Sequence, residues 1–203
     1  MNLKKVVVAV LIFVPVLAVA AGGETSIPLD AMEPNLKDQA SLQRGAKTYL
    51  NYCIGCHSLK YQRYQRTADD LGIPADLMMK HMVFDSSAQI GSLMENTMSV
   101  DNAKQWFGAV PPDLTMYTML KGGPDYFYTY MRVFYEDKTR PLGVNNLLYE
   151  NVAMPHPLVE LQGLQRKVCK GIPRLADNGG EMRDPLTGAP IIWERCGNDL
   201  IQR

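Results

Sequence analysis

Residues 48–61 read TYLNYCIGCHSLKY. Cys53 and Cys56 stand two residues apart and His57 follows directly, in a chain with four cysteines in all. Upstream, Leu42, Ala46, Tyr49, Leu50 and Cys53 recur at i, i+4, i+7, i+8 and i+11. That spacing is one face of a helix beginning near Asp38, and it delivers Cys53 to a buried surface.

The pattern C-x-x-C-H is the attachment signature of c-type haem. Two thiols two residues apart reach the porphyrin edge from one turn and form two thioethers with its vinyl groups. The adjacent His57 then points at the iron as the proximal ligand, and small Gly55 keeps the turn clear of the ring. A thioredoxin-like dithiol would open a helix after a strand, whereas this motif ends a helical pattern. A zinc site needs further ligands nearby, and Cys169 and Cys196 lie over a hundred residues away. A disulfide within the motif would be strained.

An electron carrier also needs a sixth iron ligand, methionine or histidine. Met78, Met79 and Met82, and likewise Met94 and Met98, sit at helical spacing and read as core filler. His81 shares an amphipathic run and reads as a packed or surface residue. Met154 and His156 lie in NVAMPHPL (151–158), a proline-stiffened loop that can hold a ligand with little entropy to lose. Met154 is the favoured candidate and His156 the alternative.

The N-terminus reads as a leader. Lys4 and Lys5 precede an apolar run from Val6 to Ala21, and Ala18-Val19-Ala20 fits the small-x-small cleavage rule. A signal peptide over 1–21 leaves a haem domain over 22–203, exported unfolded. The run is short for a bilayer span. Lysine plus arginine equals aspartate plus glutamate, 21 each, so no basic excess tracks nucleic-acid phosphates.

The remaining elements read as mainly α with long loops. Residues 24–37 form an extended arm. A turn at 72–74 precedes a helix from about Asp76. Another helix has Asp101 as a possible N-cap and Gly108 as its stop. Pro111 and Pro112 impose an extended connection. GPDYFYTYMRVFYED (123–137) reads as a helix starting at Pro124, residues 140–158 as a long loop, and 160–203 as a hairpin-like or looped insert.

CIGCHSLKYQRY, WFGAVPPDLT and RPLGVNNLLYENVAMPHPL, in this order, resemble the cytochrome c1 family, the haem subunits of the ubiquinol–cytochrome c oxidoreductase or bc1 complex. The likeness runs from about Leu29 to the end and is nearest the proteobacterial branch. It implies a c-type cytochrome domain with one covalent haem c on Cys53 and Cys56, and His57 and Met154 as axial ligands. Pro111 and Pro112 would line the haem crevice and Tyr126 would reach a propionate. It implies electron transfer from the Rieske iron–sulfur protein to a soluble cytochrome c, beside cytochrome b. The place is the periplasmic face of a bacterial inner membrane, and the chain alone would catalyse no bond-making step.

Two departures stand out. Where the family often has an arginine that pairs with a propionate, this chain has Met119, with Lys121 the nearest cation. The family's pocket-closing helix and membrane anchor do not occur before Arg203, so the sequence reads as a truncated form. Cys169 and Cys196 read as a disulfide, the family's bacterial members tending to carry a pair there, against the alternative of two free thiols. Two other functions compete. One is a free soluble periplasmic monohaem carrier, which co-purification with cytochrome b would exclude. The other is a haem enzyme, gas sensor or thiol oxidoreductase, which ready carbon monoxide uptake would favour.

Overall fold

The structure, a computed structural model, describes residues 27–120, 122–176 and 179–202. The leader expected over 1–21 and Lys121 lie outside the described residues. In chain order the elements are α1 (Gln39–Tyr52), β1 (Leu59–Arg63), α2 (Tyr64–Asp70), α3 (Ala75–His81), β2 (Leu93–Met94), α4 (Val100–Phe107) and α5 (Tyr117–Leu120). Then come α6 (Gly123–Arg132), β3 (Phe134–Glu136), β4 (Val144–Asn146), α7 (Val159–Gln162), β5 (Gln165–Pro173) and β6 (Ile192–Gln202).

The first half packs around α1. Asp38 caps it, its carboxylate accepting from the Ser41 N–H at 3.0 Å. The expected face turns inward, and Leu50 is buried with Tyr64 and Met94, packed by Tyr49, Ile54 and Met82. Met78 and Met94 are core filler as expected, and His81 is exposed. β1 and β2 pair antiparallel beside this cluster. Helix α4 stops at Gly108, whose φ of 71° suits glycine. Its N-cap is Ser99 rather than Asp101, the hydroxyl accepting from the Asn102 N–H.

The second half is built on a four-stranded sheet in the order β4-β3-β5-β6. β3 runs antiparallel to β4, with Phe134 opposite Asn146, and parallel to β5 at Tyr135 and Gln165. Because side chains alternate along a strand, Phe134 joins Met131, Val144 and Val152 on one face, while Val133 and Tyr135 join Leu147 on the other. The N-terminal arm lies along α6: the Asp30 N–H donates to the Thr129 hydroxyl, and Arg132 pairs with the Asp30 carboxylate at 2.7 Å.

The expectation of a mainly α chain is therefore corrected, since the described residues form a two-stranded and a four-stranded sheet beside the helices. The aromatic run expected to continue as one helix leaves it at Arg132, where Val133, Phe134 and Tyr135 enter a strand that suits β-branched and aromatic side chains. The stretch expected as a long loop contains β4. Of the two forms expected for the C-terminal insert, hairpin-like or looped, the structure has the first: β5 and β6 form an antiparallel ribbon, with Cys169 and Cys196 directly opposite and joined by a disulfide. No helix among the described residues is long and apolar enough to cross a membrane.

Candidate haem site

The C-x-x-C-H motif is a single tight turn continuing α1. The Cys53 N–H donates to the Tyr49 carbonyl at 2.9 Å, and the Cys53 carbonyl accepts from the Cys56 and His57 N–H groups at 3.0 and 2.8 Å. Both cysteines are half-buried free thiols. Burial pushes both thiols up from their ordinary value, and the neighbouring Cys56 adds to this at Cys53. Both therefore stay protonated near neutral pH. A Cβ placed on Gly55 would meet no protein atom within 4 Å. Packing within the chain does not require glycine there.

His57 is oriented from outside the motif. Its Nδ1 lies 2.8 Å from the Pro112 carbonyl oxygen. A carbonyl only accepts, so Nδ1 carries a proton, and in the neutral ring Nε2 is then the nitrogen with the lone pair. The extended Pro111–Thr115 segment is itself stitched to the residues after the motif. The Leu114 N–H donates to the Ser58 carbonyl at 2.9 Å and the Lys60 N–H to the Asp113 carboxylate at 2.8 Å. Burial works to raise the Asp113 carboxyl, but N–H groups of Lys60 and Thr115 and the Thr115 hydroxyl outweigh it and hold it below its usual range. The Tyr49 hydroxyl donates to the His57 carbonyl at 2.6 Å and the Asn96 amide to the Cys56 carbonyl at 2.8 Å. Three separate segments thus fix this turn.

Met154 belongs to the other half. Half-buried, it packs on the core cluster of Met131, Phe134, Val144 and Val152. The Tyr130 hydroxyl donates to its sulfur at 3.8 Å. Tyr130 stands in an aromatic ladder on α6 and β3. It stacks on Tyr126 at 6.1 Å and meets Phe134 edge-on at 5.4 Å, and Phe134 stacks on His156 at 4.7 Å. His156 is buried, and burial holds its imidazole below the ordinary value although a backbone hydrogen bond to Gly163 partly offsets this. Its Nδ1 has no partner, and its ring serves the core. Tyr117, Tyr126 and Tyr130 are raised by burial first and all three by Tyr149; Tyr126 adds to this at Tyr117, and Tyr117 and Tyr126 at Tyr130. This phenol cluster joins α5, which follows the Pro111–Thr115 segment, to the Met154 side.

The structure thus brings His57 together with Pro112, and Tyr126 with Tyr130 and through it Met154. Pro111 is half-buried, Pro112 exposed beyond its carbonyl, and Met119 is 74% exposed. Two cavities of about 340 and 310 Å³ are lined by neither His57 nor Met154. Sequence reasoning missed Tyr130, although its place four residues after Tyr126 puts the two on the same face of α6. It also missed Asn96, which no local pattern marks.

The cytochrome c1 family model matches residues 34–167. The chain belongs to the cytochrome c1 family. A cytochrome c1 of Allochromatium vinosum is 47% identical over 167 residues, covering 82% of this chain and 67% of that protein. The ammonia monooxygenase gamma subunit of Nitrosomonas europaea is 38% identical over 165 residues, 81% of this chain and 68% of that protein. Cytochrome c1 proteins carry one covalently attached haem c and transfer electrons in the bc1 complex, and this chain shares that cofactor and role. The donor set fits the group: two free thiols on one turn, an imidazole with its second nitrogen released, open space beside Gly55, and a thioether on a packed loop.

Proposed function

We propose that the chain accepts electrons from a Rieske iron–sulfur protein and passes them to a soluble cytochrome c at the periplasmic face of a bacterial inner membrane, beside cytochrome b. Cys53 and Cys56 carry the thioethers, His57 and Met154 are the axial ligands, and residues 1–21 are a signal peptide. When bound, haem supplies a one-electron couple whose potential a Met/His ligand pair raises. The single observation that carries this reading is the 2.8 Å contact between His57 Nδ1 and the Pro112 carbonyl. It fixes the tautomer that offers Nε2 to a metal, directly after the two thiols.

The chain's own residues do the rest. Tyr49 and Asn96 hold the turn that aims His57. The Tyr130 hydroxyl sits on the Met154 sulfur and the core cluster shields that side from water. Pro111 and Pro112 form the wall beside His57, and Tyr126, stacked on Tyr130, offers a hydroxyl for a propionate.

The test is the holoprotein purified from its own membrane, with Met154→Leu beside it. The expected intact mass lacks residues 1–21 and gains one haem. The variant is expected to lose midpoint potential and to bind carbon monoxide in the ferrous state. A Met154→Leu protein with unchanged potential and no carbon monoxide uptake would remove Met154 from the ligand set.

A further inference from the structure

Three polar side chains outside the proposed ligand set converge on the loop that carries Met154. Asn146, the last residue of β4, is 1% exposed. Its side-chain oxygen accepts from the Leu148 N–H at 2.9 Å and the Tyr149 N–H at 3.3 Å. Its side-chain nitrogen donates to the Tyr130 carbonyl at 2.8 Å. Asn145, 4% exposed, accepts from the Asn151 N–H at 2.9 Å and donates to the Asp137 carboxylate at 3.0 Å. Arg140 donates from Nη1 to the Asn151 side-chain oxygen at 3.1 Å. Its Nη2 donates to the Asn151 carbonyl at 2.9 Å and reaches the Val152 carbonyl at 3.5 Å. Five backbone polar groups between Leu148 and Val152 are thus held by side chains rather than by a strand or helix.

The loop needs this holding. Asn151 has φ of 61°, the sole non-glycine among the described residues at positive φ. Asparagine tolerates that region better than most residues, but the turn is kept there by its N–H, carbonyl and side chain together. Arg140 gives its fork to carbonyl oxygens, and its Nε stays buried without a partner. A planar guanidinium suits this task and an ammonium does not, because only the fork reaches three acceptors in fixed directions.

Tyr130 is where the frame meets the sulfur. Its carbonyl takes the Asn146 amide and its hydroxyl gives to Met154 Sδ. Asn146 therefore sets the backbone position of Tyr130 and the path of the chain toward Met154 at once. A ligand already held in its bound place loses little freedom on coordination, and groups that orient a ligand tune the metal it binds.

We propose that Asn146 and Arg140 are positioning residues for the Met154 thioether, with Asn146 as the shared node. This rests on the reading of Met154 as an axial ligand. The residues act through the loop and touch no cofactor.

The test uses the holoprotein with Asn146→Ala, Arg140→Lys and Met154→Leu in parallel. Covalent haem content and far-ultraviolet circular dichroism establish that each variant is folded. The readouts are the sulfur-to-iron charge-transfer absorption of the ferric form, carbon monoxide uptake by the ferrous form, and the midpoint potential. Folded Asn146→Ala is expected to lose the absorption, take up carbon monoxide and fall in potential, as Met154→Leu does. Arg140→Lys is expected to shift the same way to a smaller extent, and it decides the matter if Asn146→Ala does not fold. Loss of the absorption in Met154→Leu, with folded Asn146→Ala or Arg140→Lys unchanged in all three readouts, overturns the proposal and leaves the ligand reading intact. Retention of the absorption in Met154→Leu overturns the ligand reading, and the proposal with it.

Discussion

Replacing Phe134 by alanine should weaken the fold and, on the proposed ligand set, release Met154 together. Phe134 is 1% exposed at the middle of the core cluster beneath Met154. A buried aromatic side chain covers about 200 Å², and at about 25 cal/mol per Å² this is ~5 kcal/mol, part of which alanine retains. The cavity left behind adds its own cost, so the loss is about 3–5 kcal/mol. That is a large share of a total of about 5–15 kcal/mol. The same change removes the ring between Tyr130 at 5.4 Å and His156 at 4.7 Å, freeing the loop from both sides. Phe134→Leu keeps most of the volume and gives up the two ring contacts, about 0.5–1.5 kcal/mol each. Urea unfolding followed by circular dichroism gives the stability of each form, and carbon monoxide uptake reports the ligand. If Phe134→Ala lost less than about 1 kcal/mol and still excluded carbon monoxide, Phe134 would not be the support of this loop.

Tyr130→Phe removes the donor to the Met154 sulfur. A hydrogen bond of about 0.5–1.5 kcal/mol felt in one oxidation state converts to about 20–65 mV for one electron. The midpoint potential should fall, because that donor withdraws electron density from the sulfur and favours the ferrous form; a rise in voltammetry would reverse this reasoning. Replacing Cys169 and Cys196 together by serine should cost the ribbon about 3 kcal/mol. Faster hydrogen exchange should be confined to β5 and β6, with the haem spectrum unchanged. The Asp137 carboxyl is held below its usual range by the Thr139 hydroxyl first, then by the Asn145 amide. A depressed folded-state value means stability present above the ordinary carboxylate range, near pH 4, and lost as pH falls below it. Asp137→Asn should therefore lower thermal stability at neutral pH and flatten the acid limb; an unchanged acid limb would show that this carboxylate does not contribute.

What the sequence made legible is what short spacing encodes. The α1 face, its start near Asp38, the stop at Gly108 and the C-x-x-C-H turn each rest on short spacings and follow from helix geometry and local hydrogen bonding. Between Cys169 and Cys196 the sequence suggested a hairpin-like or looped insert with a paired cysteine, and the ribbon is the first of these. The central sheet was not. Strands of three residues carry no periodicity to count, and β3 exists because Val133 to Tyr135 find partners in β4 and at Gln165, beyond any local window.

The same division runs through the site. Cys53, Cys56 and His57 are legible because the chemistry demands their adjacency. Met154 was favoured by its proline-stiffened loop, with His156 as the alternative, and the resemblance pointed to the same residue. The structure adds a physical reason for the difference between those two. The His156 ring is stacked on Phe134 and a backbone hydrogen bond to Gly163 ties it down, whereas the Met154 sulfur has a hydroxyl on it. Asn145, Asn146 and Arg140 were invisible as a frame because most of their partners are backbone groups of a loop with no regular structure. Asn146 reaches Tyr130 across sixteen positions and Arg140 reaches Asn151 across eleven. Side chains that act on the main chain leave no pattern of residue types at fixed spacing. A sequence can therefore declare which atoms bind a cofactor while concealing the residues that hold those atoms still.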